Sequence, residues 1–227
     1  MNLKSLHKLL AVGLVTVAGY SWATPSVGTN ANPTWQDISA IQWSTNNGAT
    51  WGNSALVVGQ SVEFKITMHK TNIGNHYADF VKAWIDLNGD GQFAASETLL
   101  FGYHVANNTP QGEHNQERLS GQSYNFYSNS IAVTNALPSD LWVLARVTCS
   151  DSLLQTALGS YSWNQQWSTN IATYDSDFLP TANYIQGESE LVKLTVNGNK
   201  VPEPGTLALF AAAMVGMGWT RKQATRV

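Results

Sequence analysis

The sequence predicts an all-β protein, a β-sandwich of jelly-roll-like type, flanked by an N-terminal signal helix and a C-terminal hydrophobic helix. Three observations predict it. Residues 62–69 alternate apolar Val62, Phe64, Ile66 and Met68 with polar Glu63, Lys65, Thr67 and His69, the period of a half-buried strand. Turn-forming clusters follow one another at short intervals: Asn46-Asn47-Gly48, residues 72–75, residues 107–112 and Pro138-Ser139-Asp140. No segment of the body carries a sustained helical stripe, and short strands with frequent turns suit a sandwich.

Taken in order, the chain begins with a three-part pattern. Lys4 and Lys8 supply positive charge, residues 9–19 are apolar, and Ser21-Trp22-Ala23 puts small residues where signal peptidase reads. Residues 1–23 are therefore expected to be a secretion signal cleaved after Ala23. The apolar run is too short to span a membrane.

Residues 24–200 read as one β-sandwich domain. Besides 62–68, strands are expected at 80–85, 97–105, 130–133, 141–148 and 191–196. The body holds 14 acidic and seven basic residues, a net charge of −7 against −3 for the whole chain. No basic patch remains to bind nucleic acid. Cys149 is the only cysteine, so no internal disulfide can form. Its alternation with Val143, Ala145 and Val147 places it as a small buried hydrophobe on a strand.

The sharpest motif of the body is residues 86–97, DLNGDGQFAASE. It satisfies the pattern D-x-[DN]-x-[DN]-G-x5-E at every specified position. Calcium takes six to eight hard oxygen ligands. Asp86, Asn88 and Asp90 occupy positions one, three and five, Gly91 permits the turn at six, Gln92 offers a backbone carbonyl at seven, and Glu97 closes at twelve. Strand-like sequence on both sides predicts an EF-hand-like loop joining two strands rather than two helices. A metal-free polar turn is the alternative, because Asn-Gly-Asp-Gly is also turn chemistry. Glu97 is the least secure ligand, since its reach depends on a helical exit.

Residues 82–93, KAWIDLNGDGQF, resemble the core motif of the GEVED domain, a secreted bacterial β-sandwich module. The strand at 141–147 and Gly187-Glu188-Ser189-Glu190 resemble later parts of that domain, although Leu191 and Val192 depart from its pattern. The resemblance implies a metal-stabilised extracellular module with no catalysis.

Residues 201–227 form a tail. Pro202-Glu203-Pro204 cannot continue a helix or a central strand. Residues 205–219 are uncharged and mostly apolar, and Arg221, Lys222 and Arg226 follow. As a helix the apolar run reaches about 22 Å, a marginal transmembrane span whose basic end favours the cytoplasm. Pro202, Glu203 and Pro204, the short apolar helix and the basic end resemble the PEP-CTERM sorting signal of Gram-negative bacteria. That resemblance implies processing by the membrane enzyme exosortase. It also implies export across the inner membrane, anchorage before processing, and a place at the cell surface or in an exopolysaccharide or biofilm matrix.

The remaining candidates are open. Trp43, Trp51, Trp163 and Trp167 sit in polar, turn-rich sequence. They either stack on sugar rings of an extracellular polysaccharide or pack loops onto the sandwich. Trp84 and Trp142 are expected in the core. His69, His76, His104 and His114 have no metal-binding spacing. Asp175 with Asp177, or Glu188 with Glu190, would serve a glycoside hydrolase only if folding set two carboxylates at catalytic separation. No nucleophile elbow, P-loop or dinucleotide fingerprint is present. The expectation is a non-enzymatic, calcium-stabilised surface or matrix protein, with a carbohydrate-binding module as the alternative.

Overall fold

The period-two run becomes the longest strand of its sheet. The computed structural model describes residues 24–32, 34–71, 78–105, 121–158 and 170–198. Its strands are β1 (Gln36–Ser44), β2 (Leu56–Val57), β3 (Ser61–Lys70), β4 (Ala78–Ile85), β5 (Thr98–Val105), β6 (Gln122–Tyr127), β7 (Ile131–Ala132), β8 (Asp140–Cys149) and β9 (Glu188–Asn197). Two short helices, α1 (Ser150–Leu158) and α2 (Ile171–Asp177), lie between β8 and β9. The signal segment 1–23, the tail from 199 onward, Trp163, Trp167, His76 and His114 lie outside the described residues. Residues 22–199 form one compact unit that contains every described strand and both hydrophobic clusters, so it carries its own core.

Two sheets face one another. One has the order β1-β3-β6 with β7 also on β3; the other has the order β2-β9-β8-β4-β5. The chain crosses between sheets from β3 to β4 and returns from β5 to β6. Val62, Phe64, Ile66 and Met68 of β3 are buried against Val81, Ala83, Ile85, Val143, Ala145 and Val147, as expected of inner faces about 10 Å apart. All of β4 is buried, because its second face is also covered. There Phe80, Trp84, Leu144, Leu153, Tyr174, Phe178 and Tyr184 form a second cluster under α1, α2 and the 178–184 loop. The body is therefore a sandwich with an extra layer on one sheet.

The six expected strands are all present. The structure adds β1, β2 and β6 and the two helices. Trp43 is the clearest departure. It lies in β1, pairs with Phe64, is 5% exposed, and donates its indole N–H to the Ser54 carbonyl. Its expected loop is the hairpin that follows, where Asn47 and Gly48 take φ of 54° and 76°. That left-handed pair is what Asn-Gly sequences supply.

Candidate functional site

The 86–97 loop leaves β4 and enters β5. Its flanking strands pair along their length, with a register shift at Ala83/Trp84 that brings Trp84 opposite Thr98. Inside the loop, Asp86 is 1% exposed and Glu97 is 5% exposed. Asp86 Oδ1 accepts from the N–H groups of Gly89 (2.7 Å) and Asp90 (3.1 Å), and Oδ2 from Gly91 N–H (3.0 Å). Gly91 holds φ at 77° and Gly89 at 71°, conformations that cost a side chain about 1 kcal/mol or more. Asn88 Oδ1 accepts from Asp90 N–H at 2.8 Å, and Asp90 Oδ1 from Gln92 N–H at 2.8 Å.

Glu97 reaches the loop after all. A single 3-10 turn over Ala95–Glu97 swings its carboxylate back toward the loop start. Glu97 Oε1 accepts from Leu87 N–H (2.9 Å) and Asn88 N–H (3.4 Å), and Oε2 from Ala94 N–H (2.9 Å). One helical turn thus replaces the exit helix of an EF-hand. Phe93 is buried in the second cluster beside Trp84, while Leu99 and Leu100 enter the inter-sheet core. These apolar anchors fix both halves of the loop.

Two buried carboxylates face the same loop, and their partners are backbone N–H groups. Among the described residues neither forms an ion pair with Lys, Arg or His. Buried carboxylates are costly unless paired or bound to metal. Among the described residues no three His, Cys, Asp or Glu side chains are gathered around one point. A cation here would therefore draw on Asn88 and a carbonyl as well as carboxylates, with the exposed Asp90 side chain turning inward.

Beside the loop, a cleft of about 540 Å³ opens between its Phe93–Thr98 side and α2. Lys82 lies there, 2.7 Å from Asp175 Oδ1, and donates to the Asp175 carbonyl at 2.7 Å. Asp175 is thus the partner of a nearly buried lysine. Glu188 has a structural partner too, accepting the Ile38 N–H at 2.6 Å. Burial, with the Glu188 charge second, raises the pKa of Glu190. Cys149 is buried, and burial pushes its thiol pKa up, which suppresses the thiolate a nucleophile needs. His69 Nδ1 lies 3.4 Å from Asp37, and His104 stacks on Tyr124 at 4.0 Å.

Of the tryptophans in question, Trp51 alone among the described ones lies near the surface, 5.4 Å from Tyr127 with Lys65 Nζ 5.1 Å from its ring centre. The sequence left the roles of two residues unread. Tyr127 sits on β6, which the pattern did not reveal. Arg146 was visible as a strand residue, but its role as a buried clamp depends on segments far away in sequence.

Residues 200–222 match the model of the PEP-CTERM protein-sorting motif. No curated protein sequence matches the chain. Among solved structures, a crystal structure described as the C-terminal domain of wzt is similar, with TM-score 0.34 and 10% identity, over 73% of this chain and 82% of that one. Among the described residues no helix is long and apolar enough to cross a membrane. The sorting motif marks the chain as an exported protein sorted by exosortase.

Proposed function

We propose that residues 24–200 act as a non-enzymatic module of the cell surface or of an exopolysaccharide matrix, stabilised by calcium and held at the membrane by the C-terminal segment until exosortase acts. The observation that carries this reading is the sorting motif at 200–222, which sets the body's destination. Asp86, Asn88, Asp90, the Gln92 carbonyl and Glu97 would hold the calcium ion. When bound, the ion neutralises carboxylates that otherwise repel one another. The GEVED-type resemblance of residues 82–93 belongs to the same proposal and rests on these loop residues. Lys82 on Asp175 and Ile38 on Glu188 support a structural use of the carboxylates that a glycoside hydrolase would need free.

Intact mass of the protein from cell and medium fractions tests the sorting half. The surface or medium form should lack residues 1–23 and the hydrophobic tail. Replacing Pro202, Glu203 and Pro204 by alanine should leave the tail in place and the protein with the membranes. An unprocessed tail on the released wild-type protein would overturn the reading.

A further inference from the structure

The outward face of the β1-β3-β6 sheet is a continuous platform that no described element covers. Strand register arranges it in rows: Gln42, Lys65 and Tyr127; then Ala40, Thr67 and Asn125; then Asp37, His69 and Ser123. At about 6.8 Å per two residues and 4.8 Å per strand, the platform from Glu63 to His69 measures about 20 Å by 10 Å. Its chemistry is uneven. Tyr127, 57% exposed, is the most exposed large hydrophobic side chain among the described residues. The hairpin after β1 brings Trp51 beside it. Away from this pair the face carries hydroxyls, amides and charges, and its one aliphatic side chain is Ala40.

We infer that this face binds a neutral polysaccharide, with Tyr127 and Trp51 as the aromatic contact and Gln42 and Asn125 among the polar ones. A sugar ring combines an apolar C–H face with a rim of hydroxyls, so it matches an aromatic pair bordered by amides. Thr67 donates its hydroxyl proton to Asn125 Oδ1 at 2.7 Å. That bond fixes the Asn125 amide and points its N–H₂ donors away from Thr67. A protein partner is disfavoured by the chemistry of the face, because the core of a protein interface is apolar and depleted of charge. Charge decides the class of polymer. The body carries −7, and Asp37 and Glu63 lie on this face, so polyanions are repelled. The face's charges are also partly spent locally: Asp37 meets His69 at 3.4 Å, and Lys65 covers the Trp51 ring.

This inference goes beyond the sorting reading and does not depend on it, since binding is measured on the isolated body without membrane or processing enzyme. The test is affinity electrophoresis of residues 24–200 in native gels. The gels are cast with dextran, laminarin, galactomannan, the neutral polysaccharide fraction from the producing cells' own matrix, or alginate as the polyanion. Retardation is expected in at least one neutral gel and not in alginate. Tyr127→Ala and Trp51→Ala should each weaken it about ten-fold or more, as for aromatic hot spots. The double variant Gln42→Ala/Asn125→Ala should weaken it with the aromatic pair intact. Tyr103→Ala, on the other sheet, should leave it unchanged. Migration unaltered in every neutral gel, stronger retention in alginate, or full retention by Tyr127→Ala and Trp51→Ala at wild-type melting temperature would each overturn the inference.

Discussion

Removing the Asp86 carboxylate separates what the loop does by itself from what calcium adds. Asp86 accepts three backbone N–H bonds, from Gly89, Asp90 and Gly91. The loop is partly exposed, so water replaces some of what is lost. At about 0.5–1 kcal/mol for each bond, Asp86→Ala should cost about 1.5–3 kcal/mol in chelator. In a domain of this size that lowers Tm by roughly 3–12 °C. Calcium at ten times its Kd adds about 1.4 kcal/mol to the wild type, a further rise of about 3–5 °C, and Asp86→Ala should lose that rise entirely. Asp90→Asn is the sharper probe. Asp90 is exposed, and an amide oxygen can still accept the Gln92 N–H. Its Tm in chelator should stay within about 1–2 °C of wild type, while its gain in calcium shrinks with the lost ligand charge. The assay is thermal unfolding of residues 24–200 in EDTA and in millimolar calcium. Identical wild-type curves in the two buffers would refute the calcium reading, while the chelator cost of Asp86→Ala would still report the loop's hydrogen bonds.

Substitutions at two other positions, Arg146 and Glu190, probe polar groups packed against the second sheet. Arg146 is fully buried; its Nε donates to Ser189 Oγ, Nη1 to the carbonyls of Leu179, Pro180 and Ala182, and Nη2 to Asn30 Oδ1 and the Thr29 carbonyl. Burial lowers its pKa to about 10, so it remains charged at neutral pH. Arg146→Met orphans these acceptors and should cost about 4 kcal/mol in urea unfolding, and Arg146→Lys should also destabilise because an ammonium cannot span the fork. Glu190 has a pKa raised by burial and then by Glu188. The folded state therefore holds its proton more tightly than the unfolded state does, so its contribution favours folding at low pH and is lost as pH rises through the raised value. Glu190→Gln should flatten that slope and raise Tm at neutral pH by about a degree or two, measured by melting across the acidic range.

The parts of this fold that were legible in the sequence are those where one residue's environment is set by its neighbours in the chain. β3 alternates cleanly because one face is core and the other solvent. The turn at Asp86 between β4 and β5 was readable because its polar residues and its glycines are local. β1 was hidden because Ser39 and Ala40 fall at a register shift opposite Thr67, which breaks the alternation, and because Trp43 is followed at once by turn residues. β6, QSYNFY, has Ser123, Asn125 and the aromatic Tyr127 on its outward side and no fully buried residue on its core side, so its periodicity carries little apolar contrast. The short helices were not apparent because Ser150–Leu158 and Ile171–Asp177 borrow their stability from tertiary packing of Leu153 and Tyr174 rather than from propensity. Glu97 has no long exit helix behind it, yet three residues of 3-10 turn suffice to turn its carboxylate back. Arg146 was unreadable as a clamp because all six of its acceptors lie 33 or more residues away.

The setting of the loop also limits what calcium can do. A sensor EF-hand works because its two helices are free to change their angle when the ion binds. Here the flanking elements are β4 and β5, paired along their length from Ala78 with Val105 to Trp84 with Thr98, and β4 is held on its other side by β8 through seven further pairs. Rotating them would break the pairing of β4, which is buried along its whole length. Phe93 on one side of the loop and Leu99 and Leu100 on the other are seated in separate clusters, so the loop cannot swing as a unit either. The backbone N–H groups that hold Asp86 and Glu97 already impose much of the shape the ion would need. On the calcium proposal, binding would then cost little ordering entropy. Its energy appears as stability of the folded body, with near-ultraviolet dichroism almost unchanged. A site of that kind would stabilise the exported body rather than signal, and a large change in near-ultraviolet dichroism on adding calcium would refute that reasoning.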